Sequence, residues 1–342
     1  MYLGIEIGGT KLQLGVGPGD GKPLVALRRL GVERSDGAEG IRRQIEHNGR
    51  SMIDEYEVTA IGIGFGGPVD ARSGRTVKSH QVDGWDDFPL ADWCRATFDL
   101  PTRIANDADT AALAEARFGA GRGSRVVFYV TVGSGIGGAL VIDGEPYGGS
   151  AGVASELGHL RPGLQADRPE ITVESFASGW AIAATARDRL SDPTSHPLTT
   201  RVFEGNDREP ESVRQRLIEL EEADEEFAAD LLDRCRGQVD RLTTRQIAQA
   251  AAEGNELAQD IFRHAAKVLG WAVAQMITLL APEVVVIGGG VPLSGEHLYF
   301  TPLREEVDRY VFPPLGDRFE IVPAALGEEV VVHGALTLAP LR

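Results

Sequence analysis

The chain has 342 residues, of which 42% are apolar, enough for sizeable cores in two lobes. Its formal net charge is −17 at pH 7, so nucleic acid would be repelled over most of the surface; an anionic ligand would be held by backbone N–H groups and helix termini instead. Only Cys94 and Cys235 are present, in no ligand spacing, which excludes a disulfide framework or a cysteine-based metal site and fits a reducing cytoplasm.

The opening "MYLGIEIGGT" runs straight into a strand pattern with no basic segment followed by a long apolar stretch, so no secretory signal is read and the mature protein is expected to begin here. "KLQLGV" then alternates like a strand. Because Lys11 follows Thr10 instead of preceding a Ser or Thr, this first glycine cluster is a hairpin turn and not a Walker A loop. "ANDADTAALAE", residues 105–115, follows the apolar run "TRIA" and starts a helix. Asn106, Asp107 and Asp109 at that point are either a plain cap with first-turn acids or groups that do chemistry.

From Val126, "VVFYVTVGSGIGGALVIDG" satisfies G-x-G-x-x-G at Gly133, Gly135 and Gly138. A dinucleotide fingerprint leads into a helix, however, and "GALVIDG" reads as a second strand, so this too is a hairpin. Strand, glycine turn and strand therefore occur once in each half, which suggests a duplicated architecture. Two such turns facing a shared cleft could grip the phosphates of one nucleotide; the plain alternative is that glycines simply make tight turns.

Between Asp192 and about Arg241, Val213, Leu217, Leu220, Phe227 and Leu231 fall at helical spacing among carboxylates. This predicts an amphipathic helix pair with a solvated acidic face and no chemistry. Val268 to Pro282 is a strongly apolar helix too short to span a bilayer, hence a buried core helix, and no membrane partner is expected. "EVVVIGGGVPL" from Glu283 is a third strand ending in glycines.

The segments "GIEIGGTK", "IGIGFGGPVD", "ANDADTAALAE", "TVGSGIGGALVIDG", "ASELGHL", "VESFASG" and "PEVVVIGGGV" resemble, in order and over nearly the whole chain, the ROK family of bacterial sugar kinases and repressors. The resemblance implies a two-lobed actin- and hexokinase-like α/β fold of duplicated ribonuclease H-like domains, with ATP and a sugar meeting in the cleft. The first lobe would comprise residues 1–108 plus about 326–342, and the larger second lobe 109–325, carrying the acidic helical insertion near 192–241.

In that scheme Asp107 is the general base, accepting the proton of a hexose hydroxyl as its oxygen attacks the γ-phosphorus. Asn106, Glu156, His159 and Glu174 contact other sugar hydroxyls, and Gly67 lets the backbone approach the ring. Gly8, Gly9, Thr10 and Lys11 form one phosphate loop, Gly133, Ser134 and Gly135 the other, and Gly288, Gly289 and Gly290 line the adenosine pocket. Glu6 stands where the family usually has Asp, the residue that orients Mg²⁺ through water. Glucose is the implied acceptor, and a cytoplasmic homodimer the implied assembly.

Two departures stand out. "GHLRPGLQADRPEITVESF" lacks the cysteine cluster with which most of the family binds zinc; Thr172 falls where the last cysteine would be, so no zinc site is expected and packing must hold the loop. Gly66 replaces a commoner proline. The sequence also opens directly on the first hairpin, so a repressor's winged helix is not expected. Two alternatives to an ATP-dependent hexose kinase remain: a polyphosphate-dependent glucokinase, and a non-catalytic sugar-binding or regulatory protein.

Overall fold

The computed structural model describes residues 1–79, 82–149, 153–163, 168–191 and 225–340. Two five-stranded sheets dominate it. In the first, β1 (Tyr2–Ile7) pairs antiparallel with β2 (Lys11–Gly17), which pairs antiparallel with β3 (Ala26–Gly31); on its other side β1 runs parallel to β4 (Ala60–Phe65), and β4 parallel to β7 (Thr102–Asn106). A two-stranded ribbon, β5 (Val69–Asp70) with β6 (Arg75–Thr76), lies between β4 and β7 in the chain.

The second sheet repeats this plan. β8 (Val126–Val132) pairs antiparallel with β9 (Ile136–Ile142), which pairs with β10 (Glu145–Pro146); β8 also runs parallel to β11 (Val284–Gly288), and β11 to β12 (Glu320–Pro323). The orders β3-β2-β1-β4-β7 and β10-β9-β8-β11-β12 match strand for strand, as the repeated glycine hairpins led one to expect.

Helices cover both sheets, so the central strands are buried on both faces: every residue of β4 and β11 is buried. In the first lobe α1 (Gly37–Tyr56) turns Ile41, Ile45 and Met52 inward, and α2 (Leu90–Phe98) packs beside β7. In the second, the short α4 (Glu174–Ala177), α5 (Gly179–Ser191), α6 (residues 225–234), α7 (Thr244–Ala252), α8 (Glu256–Leu280) and α9 (Thr301–Tyr310) enclose the larger core. The apolar segment read from Val268 is the C-terminal part of α8, which stops at Ala281 in a left-handed cap ahead of Pro282. No helix among the described residues is long and apolar enough to cross a membrane. Of the proposed acidic insertion, Leu231 is buried and Phe227 packs partly against the same core, while Val213, Leu217 and Leu220 lie outside the described residues.

Two helices stand back to back between the sheets. The alanine-rich α3 (Asp107–Phe118) packs on β8 and β9, whereas α10 (Val330–Leu338) packs on β1 and β4. Their closeness depends on missing side chains: a Cβ on Gly334 would lie 1.9 Å from the Thr110 carbonyl oxygen, and one on Gly62 1.8 Å from that of Ala335. The start of α3 consequently faces the cleft.

Candidate active site

Asn106 ends β7 in extended conformation and caps α3: its Oδ1 accepts the N–H groups of Ala108 (2.8 Å) and Asp109 (3.4 Å), and its Nδ2 donates to the Gly67 carbonyl at 2.9 Å. The amide expected to meet a substrate hydroxyl is thus engaged at both ends within the protein. Asp107, the next residue, presents its carboxylate to a cavity of about 350 Å³ lined also by Glu6, Lys11, Tyr129 and the turn Gly288 to Gly290. Burial pushes the Asp107 carboxyl from 3.8 up to about 7; the Ala108 N–H opposes this, and the negative charge of Glu6 adds to it.

Glu6 is 8% exposed. Its Oε1 lies 3.0 Å from Lys11 Nζ, and its Oε2 accepts from Gln13 Nε2 at 2.6 Å. Burial raises its pKa while Lys11 and Gln13 pull it down. The same Gln13 Nε2 and Lys11 Nζ donate to the Glu328 carbonyl, at 2.9 and 3.3 Å, tying the first hairpin to the far wall of the cavity.

The two hairpins contribute Glu6, Lys11 and Thr131 to the lining of this cavity, whereas their glycine turns are not part of it. Gly8 N–H closes the first turn on the Lys11 carbonyl, and Gly133 N–H closes the second on that of Gly135. No hydrogen bond among the described residues uses the N–H groups of Gly9, Thr10, Ser134 or Gly135, so all four are available to an anion. Gly289 has φ +101°, and a Cβ there would lie 2.4 Å from the Val132 carbonyl oxygen, so the Gly288 to Gly290 turn needs glycine at its centre.

On the other side of Asp107 a narrow crevice is lined by Asn106, Asp109, Gly138 and Glu156. Asp109, a first-turn acid of α3, therefore also faces the cleft; burial and the charge of Glu156 raise its carboxyl to about 6. Burial likewise raises Glu156, which His159 lowers and Glu174 raises. His159 is exposed on a short turn, and Glu174 braces the second hairpin, its Oε2 accepting the Ile136 N–H at 2.7 Å. Gly67 stands outside this lining but holds Asn106 through its carbonyl, and a Cβ on it would lie 2.8 Å from the Lys78 carbonyl oxygen. Arg161 reaches the carbonyls of His159 (2.8 Å) and Pro169 (2.9 Å), bridging the two ends of the cysteine-free loop.

Gln13 is the site residue that sequence reasoning passed over, although a signal existed for it, a polar residue between leucines in a strand buried on both faces. Asp109, a first-turn acid in the sequence, keeps that place and in addition faces the crevice.

The ROK family model matches residues 2–342. The chain belongs to the ROK family. A ROK family glucokinase from Streptomyces griseus, solved in complex with glucose and AMPPNP, superposes with a TM-score of 0.77 at 30% identity, covering 99% of this chain and 98% of that one. The ROK hexokinase from Thermus thermophilus superposes with a TM-score of 0.73 at 27% identity, covering 99% and 97%. The glucokinase of Thermotoga maritima is 29% identical over 99% of this chain and 97% of its own length. The fold is accordingly the two-lobed actin- and hexokinase-like one of this ROK protein's structural relatives.

Proposed function

We propose that this ROK protein is an ATP-dependent hexose kinase that phosphorylates a hydroxyl of glucose with Asp107 as general base. One observation carries the reading. Asp107 lines the larger cavity, while its chain neighbours Asn106 and Asp109 line the crevice, so a single helix start stands between two compartments. A nucleotide in the cavity would reach the Asp107 carboxylate from one side and a sugar from the crevice side; the crevice, about 10 Å³ as it stands, must widen to admit a hexose.

A base with a pKa near 7 can accept the hydroxyl proton as the oxygen attacks, and help of this kind is worth about 10² to 10⁴ in rate. The rest of the acceleration comes from positioning and charge neutralisation, for which the four unengaged turn N–H groups and Lys11 are suited. Glu156, His159 and Glu174 would supply donors and acceptors to the remaining hydroxyls.

Mg²⁺ fits this donor set. Glu6 and Asp107, two carboxyl groups, face one cavity. No group of three His, Cys, Asp or Glu side chains suited to a metal is found among the described residues. An ion held chiefly by water and phosphate, as Mg²⁺ commonly is, suits such a site and would neutralise phosphate charge.

The packing of α3 on the second sheet and of α10 on the first supports dividing the chain into 1–108 with 326–342 and 109–325. A homodimeric, cytoplasmic protein belongs to the same reading through the family resemblance.

The test is a Mg²⁺-dependent phosphorylation assay over a panel of hexoses, with ATP and polyphosphate as donors. ATP-dependent turnover of glucose is expected. Turnover with polyphosphate alone would change the donor, and silence with every pair would favour a binding protein.

A further inference from the structure

Glu115 sits in the third turn of α3, eight residues after the proposed base, and is completely buried. A buried carboxylate in an alanine-rich helix is costly unless its oxygens are hydrogen-bonded. Here both are. Oε2 accepts the Ala120 N–H at 2.8 Å, just beyond the end of its own helix, and Oε1 accepts two N–H groups from the other end of the chain, Ala325 at 2.9 Å and Leu326 at 2.8 Å.

Those two residues lie within the segment that walls the nucleotide-side cavity. Pro323 and Ala324 precede them and line it; Gly327 and Glu328 follow and line it too. The Glu328 carbonyl in turn receives Gln13 and Lys11, the two residues that hold the oxygens of Glu6. One helix thus carries the base at its first residue and, from the same rigid rod, grips the wall against which the nucleotide would lie.

We infer that Glu115 is a positioning residue: it sets the distance between the Asp107 carboxylate and the bound nucleotide by clamping residues 325–326 to α3. The inference deepens the kinase reading and rests on it. Its reach is specific to one side of the cleft. None of the partners of Glu115 lines the crevice that holds Asn106, Asp109 and Glu156, so loosening the clamp should be felt by nucleotide and not by sugar.

The experiment compares wild type with Glu115→Gln, which keeps the volume but turns an amide N–H₂ towards backbone donors, and with Glu115→Asp, which keeps the charge but is too short to span all three. Calorimetry with AMPPNP and, separately, with glucose gives both affinities without needing turnover; steady-state kinetics give kcat and both KM values. For each folded variant we expect AMPPNP affinity to fall about tenfold or more and kcat to fall with it, with glucose affinity within about twofold of wild type. Equal loss of both affinities, or a lowered melting temperature with both affinities intact, would overturn the clamp and leave Glu115 a fold residue. A wild type that binds AMPPNP and glucose but turns over no hexose would count against the kinase reading alone, since the affinity comparison still decides the clamp.

Discussion

The N–H of Gly179, the first residue of α5, donates to the carbonyl of Gly133 at 2.8 Å. Trp180 N–H does the same to the Ser134 carbonyl at 3.3 Å. The carbonyls of the second glycine turn are thereby drawn to the start of a helix, where the macrodipole favours them, and the N–H groups of Ser134 and Gly135 have no hydrogen-bond partner among the described residues. A Cβ on residue 179 would lie 2.7 Å from the Gly133 carbonyl oxygen. Gly179→Ala is therefore expected to displace the turn and raise the KM for ATP by about tenfold or more, with the KM for sugar within about twofold; steady-state kinetics check it.

Replacing Asp107 by Asn keeps the acceptor for the Ala108 N–H but removes the base. Turnover should fall by about 10² to 10⁴, with glucose affinity by calorimetry little changed. In the wild type the base must be unprotonated, so kcat/KM should rise with pH through about 7 and level off above it. An acid limb that persists unchanged in the residual activity of the Asn variant would assign that titration elsewhere.

The same substitution should stabilise the fold under alkaline conditions. A carboxyl that titrates at 3.8 when unfolded and about 7 when folded favours the unfolded state once ionised; the penalty is absent below about pH 4, grows up to pH 7 and is complete above it. Urea unfolding at pH 8 should show Asp107→Asn more stable by up to about 4 kcal/mol, and most of the gain should be lost at pH 4.

The loop between His159 and Glu174 is stitched by Arg161 and by Val173 N–H on the Leu160 carbonyl at 2.9 Å. On the expectation that this loop is held without zinc, incubation with a chelator should leave the melting temperature unchanged while abolishing turnover until Mg²⁺ is restored. Arg161→Ala should raise the KM for sugar several-fold, on the order of the roughly 1 kcal/mol carried by a partly exposed hydrogen bond.

Much of this was legible in the order of residues. Both glycine clusters sat between strand-like runs, and both are hairpins because a turn of that length can join only antiparallel neighbours. Asn106 announced a helix start, and it is the cap. Less legible was the division of labour around it. The cap occupies the Asn106 amide, Glu174 spends one oxygen on the Ile136 N–H, and Asp109 turns into the crevice. Sequence spacing reports which residues share a helix face but not which side chain a neighbouring strand will engage.

Local physics thus determined the hairpins and the helix starts, since each depends on residues within a few positions of one another, and the order of motifs along the chain carried the duplicated plan and the family. Only the tertiary structure decided that Glu115 holds Leu326, that Gln13 and Lys11 reach the Glu328 carbonyl, and that Gly179 faces Gly133. Those contacts join segments separated along the chain, and folding alone brings their donors and acceptors within hydrogen-bonding distance.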